Sequence, residues 1–313
     1  MFSDTHCHLS YVTERGANLS DLLARLDEEG FRFVMDIGTR PGDLLGRMSI
    51  ARSAWNGESE RGTGSGTETG GTDERGHAGR DALPGWLWFS AGLWPDARTI
   101  ASRAESLAAL ESDVSALLAG KPELAALGEC GLDRYWNGEA GRDRPSGEDG
   151  PGTMDTAGEE ELFSAQLELA ERKGLAVVVH SRDAFDETRS ILANSLVSRG
   201  VIHCFAYGVA EARAFLDLGY HVSFPGTITW GKKQADKDRI AELLRYVPRD
   251  RLLLETDSPY LAPAPHRGTA NTPLLVRHCY ETAAEFLGIE AEGLARIVFD
   301  NARALFSVRE GRG

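Results

Sequence analysis

The sequence has few cysteines, no long apolar run and no glycine-rich nucleotide motif, and each absence excludes a class of protein. Its four cysteines in 313 residues form no CxxC pair, which is typical of a reducing compartment and does not predict a disulfide framework. No run of about 18 apolar residues predicts a membrane span. No GxGxxG motif opens a helix after the first predicted strand, so the usual mark of a dinucleotide-binding fold is missing.

Charge and the amino-terminal residues narrow the function further. The start, MFSDTHCHLS, lacks a basic region followed by an apolar stretch, so we expect no secretory signal and a cytoplasmic protein. The formal net charge of −14 argues against a protein that coats duplex nucleic acid by neutralising phosphates. An enzyme with a local cationic site remains compatible with this charge.

Two segments rich in glycine and charge, residues 57–82 and 137–158, contain almost nothing to bury. We interpret 57–82 as a disordered insertion and 137–158 as a flexible one, both within a single domain that spans residues 1–313. The first connects a predicted helix to a strand, which predicts the bottom face of a barrel. The second follows the fourth predicted strand, which predicts the active-site face.

Outside these segments, apolar strand-like runs alternate with amphipathic stretches. Leu107, Leu110 and Val114 repeat at helical spacing within 100–119, and a second helix is predicted over 159–173, with Gly174 as its carboxyl cap. The predicted strands are 2–6, 31–37, 86–92, 124–129, 175–180, 201–205, 219–224 and 251–257. Eight strands that alternate with helices predict the α/β class and a single-domain (β/α)8 TIM barrel.

Histidines and carboxylates fall at the ends of these strands, where a barrel carries its catalytic groups. In an extended strand His6 and His8 point to the same face, as two ligands of one metal would. A single strand-end histidine is more often a hydrogen-bonded surface group, but six such residues at one rim are poorly explained by coincidence. The six candidate ligands are His6, His8, Glu129, His180, His203 and Asp257.

Four imidazoles and two carboxylates suit divalent Mg²⁺, Mn²⁺ or Zn²⁺. Because six ligands exceed what one ion with an open position needs, we predict two ions that share Glu129 as a bridge. His6, His8 and Asp257 would bind one ion, and His180 and His203 the other.

The motifs SDTHCHLS, GECGLDRYW, HSRDA, HCFAYG, ETDSPYLAP, HRGTANTP and NARALF, in this order, resemble the TatD family of metal-dependent hydrolases. The resemblance implies a TIM barrel with a binuclear site and deoxyribonuclease activity, and its ligand pattern falls on the same six residues. The chain departs from the family at Trp94, where a histidine is usual, and at Thr269, Ala270 and Thr272, where lysine, arginine and glutamate are usual. These departures bear on substrate preference.

Further residues are predicted to assist the metal site. Asp257 is the candidate general base, with Glu129 as the second catalytic carboxylate. Glu255 and Asp133 are expected to orient ligand histidines from behind.

Substrate contacts are predicted from cationic and aromatic residues near the rim. Arg182 and Arg267 would contact phosphate oxygens, although each could equally be a surface arginine. Tyr207 and Trp94 could stack on a terminal base, with packing as the alternative for Trp94.

We therefore expect a metal-dependent hydrolase that cleaves DNA, as an exonuclease on single-stranded or frayed ends, without a membrane or an obligate protein partner. One alternative is an amidohydrolase-type enzyme that cleaves C–N bonds or aminoacyl esters. Glu129 stands where such enzymes commonly carry a carboxylated lysine, which favours the phosphodiesterase. Another alternative is a metal-binding protein without turnover.

Overall fold

The computed structural model describes residues 2–57, 82–118, 123–138 and 153–308. Within them, eight parallel strands pair in sequence order in one sheet. The strands are β1 (Ser3–Cys7), β2 (Phe33–Asp36), β3 (Leu87–Ala91), β4 (Leu124–Asp133), β5 (Ala176–Arg182), β6 (Gly200–Ile202), β7 (His221–Phe224) and β8 (Leu252–Leu254). The prediction of a (β/α)8 barrel is confirmed.

Helices connect the strands and cover the outer face of the sheet. They are α1 (Leu9–Glu14), α2 (Leu19–Glu28), α3 (Leu44–Trp55), α4 (Ala97–Ala101), α5 (Arg103–Leu118), α6 (Arg134–Asn137), α7 (Thr156–Lys173), α8 (Phe185–Asn194), α9 (Val209–Asp217), α10 (Gln234–Tyr246), α11 (Val276–Leu287) and α12 (Ala291–Phe306). None of the helices in the described ranges is long and apolar enough to cross a bilayer. The strands read as near-continuous apolar runs because both of their faces are buried.

The carboxyl-terminal extension of β8 closes the barrel against β1. The backbone N–H of Asp257 donates to the carbonyl of His6 at 2.9 Å, and that of His8 donates to the carbonyl of Ser258 at 2.8 Å. Buried Asp4 accepts from the backbone and the hydroxyl of Thr256 at 2.9 and 2.6 Å. These bonds bring the end of the eighth β-α unit beside the two histidines of the first.

Several element boundaries differ from the predicted ones. β4 continues past Glu129 to Asp133, whereas β6 ends at Ile202 and β8 at Leu254, so His203 and Asp257 follow their strands. Asp257 lies in the left-handed region, with φ 54°. The pattern of apolar residues predicts where a strand lies but does not show where the backbone turns out of it, as it does at Asp257.

The two predicted helices lie where the sequence placed them, but one is interrupted and the other begins earlier than predicted. The predicted helix over 100–119 is interrupted at Ser102, where α4 ends and α5 begins. The helix predicted over 159–173 begins three residues earlier, at Thr156, because Asp155 accepts from the N–H of Gly158 and caps it. Gly174 takes the left-handed conformation of a carboxyl cap, φ 65°, as predicted.

The two predicted insertions lie mostly outside the described residues, in 58–81 and 139–152. The first lies between α3 and β3, hence between a helix and a strand, and the second follows β4 and α6. The predicted range 137–158 is too wide at both ends. Asn137 is buried, and its side-chain oxygen accepts from the N–H of Thr153 at 3.0 Å, while Thr156–Gly158 already belong to α7.

A buried ion pair fixes the turn after β1. The guanidinium of Arg47 lies 2.7 Å from Asp36 Oδ2 and also donates to the carbonyl of Ser90. The other oxygen of Asp36 accepts from the N–H of Leu9 at 2.9 Å. Because Leu9 directly follows His8, this pair holds the backbone that carries His8.

Replacement of Arg47 by alanine is expected to lower the free energy of unfolding by about 3–5 kcal/mol, because it leaves the buried carboxylate of Asp36 without its partner. Urea titration measures the change. The matched control is Arg25→Ala, since Arg25 is exposed and pairs with Glu29 at the surface, where we expect a loss of about 1 kcal/mol or less. Equal losses in the two variants would contradict the structural role of the Arg47–Asp36 pair.

Candidate metal centre

The six predicted ligands converge at the carboxyl-terminal rim of the barrel. The Nε2 atoms of His6 and His8 are 3.2 Å apart, and His180 Nδ1 lies 3.1 Å from His203 Nε2. Both histidine pairs face one carboxylate, that of Glu129.

Glu129 turns one oxygen toward each pair. Its Oε1 lies 2.9 Å from both His180 Nδ1 and His203 Nε2. Its Oε2 lies 3.4 Å from His6 Nε2 and 3.6 Å from His8 Nε2. A carboxylate in this position can bridge two cations.

Asp257 completes the group on the His6 side. Its Oδ1 is 3.6 Å from the Nε2 atoms of both His6 and His8. Its side chain is 14% exposed, against 5% for Glu129. Asp257 is therefore the more accessible of the two central carboxylates.

Close packing of β4 against β5 brings Glu129 beside His180. Gly131 pairs with His180 across the two strands and has a positive φ of 146°. A Cβ at position 131 would collide with the carbonyl of His180, so only glycine allows this approach.

Acceptors bind the outer nitrogens of two of the four histidines, and a carboxylate lies behind a third. His8 Nδ1 lies 3.3 Å from the carbonyl of Ile37, and His180 Nε2 lies 3.0 Å from Asp133 Oδ2. Glu255 Oε1 lies 3.7 Å from His203 Nδ1. Asp133 and Glu255 therefore lie behind ligand histidines, in the places expected from the sequence.

The carbonyl of Ile37 and the carboxylate of Asp133 favour a proton on the outer nitrogens of His8 and His180, so that the inner nitrogens face the centre. The centre holds inner imidazole nitrogens and carboxylate oxygens that face one another at 2.9–3.6 Å, an arrangement that is stable only when protons or metal cations lie among them. Three overlapping groups of ligand atoms in the described residues could hold an ion: His6 with His203 and Asp257, His6 with His8 and Glu129, and Glu129 with His180 and His203. The nitrogen and oxygen donors fit divalent metal ions.

The electrostatics of the site favour positive charge at its centre. Burial opposes ionisation of Glu129, but His203, His180 and His6 hold the pKa of its carboxyl well below the usual range. Burial would lower the pKa of His180, yet Asp133 and Glu129 raise it to about 9. A metal cation would meet the same attraction.

A cleft of about 1160 Å³ opens above the centre. Two of the three predicted substrate-binding residues line it, and the third lies in a neighbouring cleft. Arg182 lines the main cleft with its guanidinium 3.7 Å from the ring centroid of Tyr135. Tyr207 lines it too, but its hydroxyl bonds Ser181 Oγ at 2.9 Å and accepts from the N–H of Ala184. Arg267 lies over Trp230, in a neighbouring cleft of about 450 Å³, and is therefore not brought to the metal centre.

The residues at which the chain departs from the family pattern do not all lie in the same cleft. Trp94 lines the main cleft beside His180, whereas Thr269 and Ala270 line the neighbouring one. Thr272 immediately precedes a short 3₁₀ turn, Pro273–Leu275.

Strand alternation would turn Cys7, Cys130 and Cys204 away from the neighbouring candidate ligands, but Cys204 does not follow it. It follows β6 with φ 47° and lines the main cleft, because the alternation of side chains ends with the strand at Ile202. Its N–H donates to Glu255 Oε1 at 2.6 Å. Cys7 and Cys130 are buried wall residues as expected.

Sequence reasoning missed a buried glutamate behind His180. Glu159 Oε1 accepts from the N–H of Asp133 at 2.7 Å and from the side-chain amide of Asn137 at 2.9 Å, and Arg134 pairs with the other oxygen. The available signal was a charged residue on the apolar stripe of α7, four positions before Phe163.

Comparison with known proteins agrees with this architecture. The family model described as TatD related DNase matches residues 3–307. An uncharacterized metal-dependent hydrolase of Escherichia coli, YcfH, is 37% identical over 197 residues, which cover 62% of this chain and 67% of the relative. A protein of Pantoea vagans named 3'-5' ssDNA/RNA exonuclease TatD is 34% identical over 238 residues, 74% of this chain and 82% of that one.

Solved structures show the same fold. The Escherichia coli TatD homolog YJJV superposes with a TM-score of 0.72 over 98% of both chains at 24% identity. A TatD family hydrolase of Entamoeba histolytica superposes with a TM-score of 0.70 over 97% of both chains at 14% identity. With the family model matched over nearly its whole length, the chain belongs to the TatD family of metal-dependent hydrolases.

Proposed function

We propose that this protein hydrolyses phosphodiester bonds at the 3′ ends of single-stranded DNA, with two divalent metal ions, Mg²⁺, Mn²⁺ or Zn²⁺. The observation that carries the proposal is the position of Glu129, which turns one oxygen to each of two histidine pairs. We assign His6, His8 and Asp257 to one ion and His180 and His203 to the other, with Glu129 as the bridge.

Two divalent ions held by these residues would supply a nucleophilic water and would stabilise the charge that develops on the attacked phosphate and the leaving oxygen. Asp257 is the proposed general base because its carboxylate is the more exposed one and faces the cleft. Asp133 accepts from His180 Nε2 and Glu255 lies behind His203, so a metal ion would meet the inner nitrogens, His180 Nδ1 and His203 Nε2.

Arg182 is the proposed contact to the non-bridging phosphate oxygens. It lies on the wall of the cleft, and the face of Tyr135 supports its guanidinium. Because Arg267 lies in the neighbouring cleft, we assign it only to a phosphate further along the strand. Tyr207 is less suited to stacking on a base than the sequence suggested, since Phe185 and Phe205 pack against its ring.

We infer the preference for single-stranded DNA from the net charge of the chain and from the name of one relative. A net charge of −14 offers duplex DNA no broad cationic surface, whereas a local cleft with aromatic walls suits a terminal nucleotide. The 3′ polarity follows the name of the Pantoea vagans relative.

Loss of the bridging carboxylate is expected to weaken metal binding by at least about 100-fold, since outer partners of ligand histidines alone contribute about 10–100-fold. We expect Glu129→Gln to retain fewer ions per chain after dialysis than the wild type, measured by elemental analysis. Glu105→Gln is the matched control, because Glu105 is an exposed glutamate in the same cleft. An unchanged metal content in Glu129→Gln would contradict the bridging role.

Replacement of Asp257 by asparagine is expected to lower kcat on single-stranded DNA by about 10²–10⁴-fold, because the amide cannot accept the proton of the attacking water. The assay uses metal-stripped protein restored with Mg²⁺, Mn²⁺ or Zn²⁺ and oligonucleotides labelled at either end, which reports the polarity of digestion.

The same panel contains an aminoacyl ester and a cyclic amide as competing substrate classes. Cleavage of the amide or the ester by the wild type, with DNA intact under every metal, would overturn the proposed function. Absence of turnover on all three substrates would favour a protein that binds metal without catalysis.

A further inference from the structure

Trp94 stands on the wall of the main cleft in an unusual setting for a large apolar side chain. It is half-buried and lines the cleft, and its ring centroid is 6.0 Å from that of His180 in an edge-on arrangement. An indole left partly in water beside the metal centre does not stabilise the fold as a buried one would.

The backbone under Trp94 is held on three sides. Gln166 accepts from the N–H of Leu93 at 2.8 Å and donates to its carbonyl at 3.1 Å. The amide of Asn137 donates to the carbonyl of Pro95 at 2.7 Å. The N–H of Trp94 itself donates to the carbonyl of Thr39 at 3.0 Å.

The two amides that do this are costly to bury. Gln166 is 0% exposed and Asn137 1%, and a buried amide is tolerated only when its polar atoms are hydrogen-bonded. Gln166 bonds both backbone groups of Leu93, and Asn137 divides its hydrogen bonds among Pro95, Glu159 and Thr153. The backbone on both sides of Trp94 is therefore fixed by hydrogen bonds to buried amides.

The indole itself remains available to a ligand. Among the described residues, its Nε1–H makes no hydrogen bond, whereas that of Trp86 donates to Asp27 and that of Trp230 to the carbonyl of Ala262. The other aromatic residue considered for stacking, Tyr207, has its hydroxyl bound and its ring packed against Phe185 and Phe205.

We propose that Trp94 is a stacking platform for a nucleobase next to the scissile phosphodiester, so that the enzyme selects substrates with a base at this position. The inference rests on the proposed nuclease function and adds a specificity-determining residue to it. A base stacked on Trp94 keeps its own phosphate near His180 and Glu129. Rigid presentation favours this role, because a preorganised surface loses little conformational freedom on binding.

The test compares two single-stranded oligonucleotides, one normal and one that lacks the bases of the two nucleotides flanking the 3′-terminal phosphodiester. For the wild type we expect removal of the bases to lower kcat/KM by roughly 10- to 100-fold, as base–aromatic stacking predicts. In Trp94→Ala the discrimination ratio, which is kcat/KM on the normal oligonucleotide divided by kcat/KM on the one that lacks the bases, should fall to about threefold or less. In Trp94→Phe, which keeps an aromatic face, most of the discrimination should return.

The separate effects of Trp94→Ala on KM and on kcat distinguish stacking from a structural defect. Stacking acts on bound substrate and on the transition state alike, so Trp94→Ala should raise KM on the normal oligonucleotide more than it lowers kcat. Trp136→Ala is the matched control, because Trp136 lines the same cleft from α6 and should leave the discrimination ratio in place. Loss of bound metal in Trp94→Ala, with kcat lowered and KM constant, would overturn the stacking role.

Binding measurements separate this inference from the proposed function. Fluorescence anisotropy of the labelled oligonucleotides, with Mg²⁺ and in the Asp257→Asn background, should give the same dependence on bases and on Trp94. Equal binding of both oligonucleotides, or discrimination that survives Trp94→Ala, would refute the platform while leaving nuclease activity intact. If the wild type cleaves no oligonucleotide, the nuclease proposal fails, and the binding ratio still decides the role of Trp94.

Discussion

The carboxylate of Glu129 is the group around which the rest of the site is arranged. One oxygen meets His180 and His203 and the other meets His6 and His8. For this to happen, the fourth strand must approach the fifth closely enough to require Gly131, and the eighth unit must return to the first. These two constraints place one negative group, the carboxylate of Glu129, between two pairs of imidazoles.

Repeating features of the sequence allowed most of the architecture to be predicted. Each of the eight predicted strands overlaps an observed one, because strands buried on both faces are continuous apolar runs that stand out from the helices. His6, His8, Glu129 and His180 were proposed as ligands from their position at strand ends, and the structure brings them together. His203 and Asp257 were also proposed, but each lies beyond its strand, where backbone direction is set by tertiary hydrogen bonds such as that from Asp257 to the carbonyl of His6.

Residues that act through other residues were the hardest to predict. Glu159 and Gln166 lie on the buried stripe of α7, where a charge and an amide interrupt an otherwise apolar face. That interruption is visible in the sequence, but the partners, Asp133 and Leu93, are distant in the chain. Asn137 was assigned to a flexible insertion because its neighbours are glycine and charge, and composition averaged over a segment cannot isolate one buried side chain. Cys204 was misjudged because strand alternation was extended past the end of β6.

Asn137 also has a consequence for how this fold could change. Its side chain joins the end of α6 to Thr153, just before α7, so the stretch between them starts and finishes at points fastened to the barrel. Lengthening a chain between fixed ends costs little, about 0.6 kcal/mol for each doubling. New sequence, or a whole accessory module, could be accommodated between Asn137 and Thr153 without moving either of these two residues. The same catalytic framework could in this way acquire different partners by exchange of a single connection.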